Sequence, residues 1–163
     1  MSAPEHSRFI GLILTAILLT ACATTAVPAG PPRPGHTKYF PKELTSVYFG
    51  MPLATFQQTM DMSNMTTSNS MSFRISVTET RSSGPIETVI YEFDAEGNKP
   101  LYEMIIRYRL EYNNREIAKP LLGAPNHGEE WKFITAEGFN IRAWLYENKL
   151  ILVGTLPGTE FGD

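Results

Sequence analysis

Apolar residues recur at every second position in the middle of this 163-residue chain, which is the spacing of a β-strand with one buried face. The alternation covers residues 73–77 and 102–110, and a further strand is expected over roughly 86–93. The segments 82–85 (SSGP) and 94–100 (DAEGNKP) supply turn-forming residues between these stretches. We therefore expect an antiparallel meander of three strands.

A short helix is expected ahead of this meander. Residues 52–60 place Leu53, Phe56 and Met60 on one stripe, which is the spacing of a helix with one apolar side. The next segment, 61–70 (DMSNMTTSNS), is polar and is expected to be a loop. We expect the helix to pack on the sheet.

A second helix is expected after the meander. Asn113 and Glu116 have the spacing of a helix N-terminus, and Gly123 could end the helix. Pro120 interrupts the segment, and a proline in a helix interior costs about 3 kcal/mol. The helix is therefore expected to be kinked or divided into two short turns.

Three more strands are expected near 130–135, 139–146 and 149–154, with Glu137-Gly138 and Glu147-Asn148 as two-residue hairpin turns. The predicted order is thus helix, three strands, helix, three strands. This order predicts an α+β fold with two layers, helix on antiparallel sheet, built from two tandem helix-plus-three-strand units.

The N-terminus carries a short apolar segment that predicts export. Residues 9–20 (FIGLILTAILLT) are uncharged, and a secretory signal has an apolar region of about 7–15 residues, whereas a membrane-spanning helix needs about 20. The segment ends in Leu19-Thr20-Ala21-Cys22, which resembles the lipobox of bacterial lipoproteins. The resemblance implies that residues 1–21 are a signal peptide, and that Cys22 is lipidated with acyl chains such as palmitate. The alternative is an uncleaved anchor in which Cys22 is an ordinary thiol.

The segment after Cys22 predicts a tether. Residues 22–43 are rich in proline, which removes amide donors and favours an extended chain. We expect 22–43 to be a lipidated tether that holds the domain at a membrane and 44–163 to be the α+β globular domain. Ala23, and not aspartate, follows the cysteine, which by resemblance to lipoproteins of this class favours the outer membrane over the inner membrane.

Composition and motifs narrow the function classes. A net charge of -3 and a pI of about 5.6 lack the basic footprint of a nucleic-acid-binding protein, so no nucleic-acid partner is expected. Cys22 is the only cysteine, which leaves no intramolecular disulfide and no CxxC pattern. The chain has no G-x-S-x-G, G-x-x-x-x-G-K or G-x-G-x-x-G motif, and His36 and His127 are the histidines left after processing. We expect no enzyme activity, no catalytic residue and no cofactor.

The last three strands carry the candidate site. If both hairpin turns have two residues, one face of the sheet is aromatic and carries Trp131, Phe133, Arg142, Trp144 and Tyr146. Tryptophan, tyrosine and arginine supply much of the binding energy at protein interfaces, so we predict that this face binds a partner and that the opposite, aliphatic face meets the helices. The alternative is a register shifted by one residue, which reverses every side chain and makes the aromatic residues core.

Methionines suggest a second function. Most of the chain's seven methionines fall between residues 51 and 71, and Met60, Met62 and Met65 are closely spaced. Thioether sulfur suits copper(I), so the alternative function is a periplasmic copper-binding or small-ligand-binding protein. The competing explanation is that methionine packs adaptably in a core or loop.

Three short motifs resemble those of a known family. They are Phe49-Gly50-Met51 before the first helix, Leu121-Leu122-Gly123-Ala124-Pro125 at the end of the second, and Trp131-Lys132-Phe133 in a strand. They are similar to motifs of small outer-membrane lipoproteins of the BamE (SmpA/OmlA) type, whose wider fold group includes the tandem-repeat β-lactamase inhibitor proteins. The resemblance implies a lipid-anchored envelope protein that binds other proteins, with outer-membrane protein assembly as one role. Inhibition of a secreted hydrolase is a third alternative.

Overall fold

The computed structural model describes residues 35–135 and 139–162. The signal peptide predicted for 1–21, the lipidation site predicted at Cys22 and most of the predicted tether lie outside these residues. Within the described part of the chain, no helix has both the length and the apolar character needed to cross a membrane.

The described residues form one continuous antiparallel sheet of seven strands. The strands are β1 (Met65–Met71), β2 (Arg74–Thr80), β3 (Ile86–Asp94), β4 (Leu101–Tyr108), β5 (Trp131–Ile134), β6 (Asn140–Tyr146) and β7 (Lys149–Thr155). Helix α1 (Leu53–Thr59) precedes β1, and helix α2 (Asn114–Leu122) lies between β4 and β5. The order across the sheet is β1-β2-β3-β4-β7-β6-β5, so the pairing of β4 with β7 joins two meanders.

This architecture contradicts the predicted fold class. The prediction of a two-layer α+β fold with two tandem helix-plus-three-strand units is wrong, because all strands belong to one sheet and β1 gives the first meander a fourth strand. Helix α1 has 7 residues and α2 has 9, which corresponds to lengths of about 10 and 14 Å. Helices this short cannot form a full layer over seven strands, so the fold is dominated by its sheet.

Strand β1 lies where the sequence predicted a polar loop. It pairs with β2 from Met65 opposite Glu79 to Met71 opposite Arg74. The side chains of residues 66–69 are exposed. Because this edge strand buries neither of its faces fully, it needs no alternation of apolar and polar residues, and the pattern used for the other strands is absent.

The cap of helix α2 follows the prediction. The Asn113 side chain accepts hydrogen bonds from the amides of Arg115 (3.0 Å) and Glu116 (3.4 Å), and Gly123 ends the helix with a positive φ of 74°. The helix is not divided into two turns, because it runs from Asn114 to Leu122 with Pro120 inside its last turn.

The hydrophobic core lies on one face of the sheet, beneath α1, α2 and the segment before α1. Phe56 of α1 packs against the rings of Tyr91 and Phe93, with centroids 4.8 and 5.1 Å away. His36 is only 3% exposed, and its Nε2 accepts a hydrogen bond from the amide of Phe49 at 3.1 Å. The packed domain therefore includes residues that precede the boundary predicted at residue 44.

The register of β5 differs by one residue from the prediction. Trp131 lies opposite Ala143, and Phe133 lies opposite Ile141. These pairs need a connection between β5 and β6 that is longer than the predicted two-residue turn. The amide of Thr135 donates a hydrogen bond to the carbonyl of Phe139 across this connection. A shift of one residue moves every side chain of the strand to the other face of the sheet, so Trp131 and Phe133 face the core. The second predicted turn is confirmed, because Tyr146 pairs with Lys149 across Glu147-Asn148.

Candidate functional site

The face of the sheet opposite α1 and α2, here called the open face, carries a row of apolar side chains. Ile90, Ile105, Ile151 and Trp144 are successive cross-strand partners on β3, β4, β7 and β6. Since neighbouring strands are about 4.8 Å apart, this apolar row is about 14 Å long. All four side chains are half-buried, and none belongs to the core cluster beneath the helices.

Basic side chains lie on both sides of the apolar row. On one side, Arg107 is opposite Lys149, which in turn pairs with Tyr146. On the other side, Arg142 is opposite Lys132. Arg107, Arg142 and Lys132 are exposed. The open face therefore presents an apolar strip between two basic flanks, Arg107 with Lys149 on one side and Lys132 with Arg142 on the other, where the row then continues through Val153 to Glu103 and Glu92.

The cations of the flanks are held close to aromatic rings. The guanidinium carbon of Arg142 lies 5.9 Å from the ring centroid of Trp144, and Nζ of Lys149 lies 5.2 Å from that of Tyr146. At these separations a cation is attracted to the electron-rich ring face. Tyr146 is 57% exposed and Trp144 is half-buried, so both rings can still contact a partner.

Two carboxylates at the margin of the open face balance part of this charge. Glu130 accepts a hydrogen bond from Arg142 at 3.0 Å, which lowers the pKa of the Glu130 carboxyl, and Glu147 lies 3.5 Å from Lys149. Arg107 forms no ion pair with any residue of the described segments, and neither does Lys132. The two basic flanks therefore each keep one cation that is free to meet a partner's charge.

A depression of about 370 Å³ lies at the end of the open face near β5. Its lining includes Lys132, Ile134, Arg142 and Thr155. Ile134 is 76% exposed, although isoleucine is a residue that folding normally buries. The depression therefore combines apolar surface with two cations.

A buried cluster of carboxylates lies beside the other end of the apolar row. Glu92 and Glu103 are cross-strand partners on the open face and are 5% and 6% exposed. Nη1 of Arg74 lies 3.8 Å from Glu92 and 3.9 Å from Glu103, and the Ser76 hydroxyl donates to Glu92 at 2.6 Å. Burial, with the nearby Glu92 charge, raises the pKa of Glu103 to about 7. Burial also raises the pKa of Glu92.

The C-terminal segment 156–162 covers this carboxylate cluster. Glu160 accepts a hydrogen bond from the Tyr102 hydroxyl at 2.9 Å and lies 4.0 Å from Nε of Arg74. The ring of Phe161 packs against that of Tyr102 at 6.0 Å. Burial and the Glu160 carboxylate both raise the pKa of Tyr102. The four side chains of the apolar row keep part of their surface exposed.

Three of the five predicted partner-binding residues share the open face. Arg142, Trp144 and Tyr146 alternate along β6 and point to the same side of the sheet. Tyr146 is 57% exposed and Trp144 is half-buried. Whether they bind a partner stays a prediction, but the structure brings them together.

The other two predicted residues belong to the core face. Trp131 is 3% exposed and donates from Nε1 to the carbonyl of Gly123 at 3.1 Å. Phe133 stacks on Tyr39, with ring centroids 4.1 Å apart. The prediction that both share a face with Trp144 is therefore wrong, because their contacts to the segments over the core set the register of β5.

Sequence reasoning missed the part of the open face contributed by the first meander. Ile90, Ile105 and Arg107 join the site through the pairing of β4 with β7, which connects segments far apart in the chain. One signal was present: the runs 89–91 (VIY) and 104–106 (MII) are apolar at adjacent positions, so both faces of these strands carry apolar side chains.

The methionine cluster contributes to packing. Met60, Met62 and Met65 are partly buried against the core, and Sδ of Met60 accepts a hydrogen bond from Ser46 at 3.5 Å. Within residues 35–135 and 139–162, no group of three or more His, Cys, Asp and Glu side chains could hold a metal ion. The contacts of these methionines are those of adaptable packing, and copper(I) binding by their thioethers stays a prediction.

Comparisons of the chain with protein-family models, with curated proteins and with solved structures find no match. The BamE-type resemblance therefore stays an expectation from short motifs.

Proposed function

We propose that this chain is an envelope lipoprotein that acts as a protein-interaction module, with the open face of its sheet as the docking surface. The observation that carries the proposal is the apolar row between two basic flanks, on the side of the sheet that neither helix covers. Contiguous apolar surface with a polar rim is typical of a protein interaction site.

The residue types on the open face support this proposal. Trp144, Tyr146 and Arg142 are of the types enriched among residues that dominate binding energy. Tyr146 is 57% exposed and Trp144 keeps a smaller exposed part, so both rings have area left to bury on a partner, at little cost in side-chain entropy. The sheet holds their backbone rigidly, so a partner would meet a largely preformed surface.

The predicted lipid anchor gives this surface a location. Lipidation of Cys22 would hold the domain at the membrane through the proline-rich tether, and the residue after the cysteine favours the outer membrane. Support of outer-membrane protein assembly is the role that the family resemblance implies. The location is a proposal that rests on the N-terminal sequence, and the assembly role is a proposal that rests on the three short motifs of the folded domain.

The proposal is tested by placing a photoreactive amino acid at Ile151 and by replacing Trp144 and Tyr146 with alanine. We expect wild-type protein in native membranes to crosslink from position 151 to a protein partner, and the Trp144→Ala/Tyr146→Ala variant to lose that crosslink while its circular dichroism spectrum is unchanged.

The matched control removes exposed apolar side chains elsewhere. Met71 and Phe73 lie at the turn between β1 and β2, at the opposite edge of the sheet from β6, and are 47% and 48% exposed. Met71→Ala/Phe73→Ala should leave the crosslink intact. Equal crosslinking by the Trp144→Ala/Tyr146→Ala variant would show that the open face does not bind the partner.

A further inference from the structure

We infer that the partner presents an acidic segment with apolar side chains to the open face. This inference rests on the proposed function, because it assigns a chemistry to the partner of the same surface. It follows from two features of the open face, the placement of its cations and the dimensions of its apolar row.

The cations are concentrated on this surface in a chain that is acidic as a whole. The chain has a net charge of -3, yet the row on one side of the apolar row carries Arg107 and Lys149, and the row on the other side carries Lys132 and Arg142 before it continues to the buried Glu103 and Glu92. Glu130 and Glu147 each engage one cation at the margin, and Glu92 and Glu103 are held against Arg74. The remaining charge of the two flanks is complementary to a partner with carboxylates on both sides of an apolar stripe.

The apolar row also limits the size and the kind of partner. A row of about 14 Å corresponds to about ten residues of an α-helix, which would place apolar side chains at every third or fourth position over it. Ile90, Ile105 and Ile151 are half-buried, so they offer a surface that receives apolar side chains and have little exposed bulk to insert into acyl chains. An acidic amphipathic protein segment therefore fits better than an anionic membrane surface.

The test uses the full chain in nonionic micelles and a fluorescein-labelled peptide of about ten residues, with leucine at every third or fourth position and glutamate elsewhere. Its partner peptide has lysine in place of each glutamate. Fluorescence anisotropy should show that the acidic peptide binds, that binding weakens as salt is raised, and that the basic peptide binds at least about tenfold more weakly.

The decisive variant is Arg107→Glu/Lys132→Glu, because it reverses one exposed cation on each flank and neither residue is ion-paired within the described segments. We expect its affinity for the acidic peptide to fall at least about tenfold. The matched control, Lys42→Glu/Lys119→Glu, makes the same change in net charge at exposed lysines outside the sheet and should leave the affinity unchanged.

Failure of this inference can be distinguished from failure of the proposed function. If Arg107→Glu/Lys132→Glu binds the acidic peptide as wild type does, or if the protein binds anionic lipid nanodiscs and not the peptide, the acidic-segment inference is overturned. If the membrane crosslink from Ile151 persists in Arg107→Glu/Lys132→Glu but is lost in Trp144→Ala/Tyr146→Ala, the acidic-segment inference is overturned and the docking face stands. If the crosslink persists in both variants, the acidic-segment inference and the proposed function are both overturned.

Discussion

The two tryptophans show how strongly the environment decides the role of a side chain in this domain. Trp131 and Trp144 lie on neighbouring strands and read alike in the sequence, but Trp131 is 3% exposed in the core and Trp144 is half-buried on the open face. The sequence could not separate them, because the faces depend on the length of the connection between β5 and β6. One more residue in that connection moves every side chain of β5 to the other face of the sheet.

Alanine substitutions should separate these two tryptophans by stability. Trp131→Ala removes a buried ring and its hydrogen bond to Gly123, so we expect the free energy of unfolding to fall by about 3–5 kcal/mol. Trp144→Ala should cost less, about 1–3 kcal/mol, because part of its side chain is already in water and no hydrogen bond is lost. Urea denaturation followed by circular dichroism measures both values. Equal losses would mean that Trp144 is also core.

Among the strands and helices, those with an apolar side were predictable. Strands β2, β3, β4, β6 and β7 and both helices lie within a few residues of their predicted positions, since each buries one face and shows the matching period. Strand β1 was not predictable, because both of its faces are largely exposed. The pairing of β4 with β7 was not predictable either, since no local pattern records which strands meet across the sheet.

The carboxylate cluster is another feature of assembled elements that the sequence does not show. Arg74, Glu92, Glu103 and Glu160 come from β2, β3, β4 and the C-terminal segment. Only the folded sheet places three carboxylates within 4.0 Å of one guanidinium. The cluster therefore links the packing of the C-terminal segment to protonation.

The cluster predicts that the domain loses stability as the pH rises towards neutrality. The pKa of Glu103 is about 7 in the folded protein against an ordinary value of 4.5, so the folded state keeps a proton that the unfolded state releases. The stabilising contribution is complete below pH 4.5, falls as the pH rises and is gone above about 7, a change of up to about 3 kcal/mol. Urea denaturation at a series of pH values measures it.

The control for this pH dependence is Glu103→Gln. Glutamine keeps the shape of a protonated glutamate but cannot ionise, so the variant should lose most of the fall in stability between pH 5 and 7, with Glu92 supplying what remains, and should exceed wild type in stability at pH 8. The protection of the amides of residues 156–162, taken relative to the base-catalysed exchange rate of an unfolded chain, should likewise depend less on pH than in wild type. An unchanged pH profile in Glu103→Gln would show that this carboxyl does not titrate in that range.

For the domain taken together, the division of the sheet into a core face and an open face connects the fold to the proposed function. A domain anchored at its N-terminus can turn the open face towards a partner at the membrane. The anchor itself is tested by intact-mass measurement of the protein purified from native membranes. We expect loss of residues 1–21 and added mass from acyl chains on Cys22, whereas retention of Met1 without lipid mass would remove the anchor.

The most direct test of the docking surface compares two exposed aromatic side chains by hydroxyl-radical footprinting. Tyr146 on the open face is 57% exposed, and Phe73 in the turn between β1 and β2 is 48% exposed. If the open face binds a partner, Tyr146 should be labelled less in native membranes than in the purified protein, while Phe73 is labelled equally in both. Equal labelling of Tyr146 in the two preparations would contradict the proposal that the open face is a docking surface.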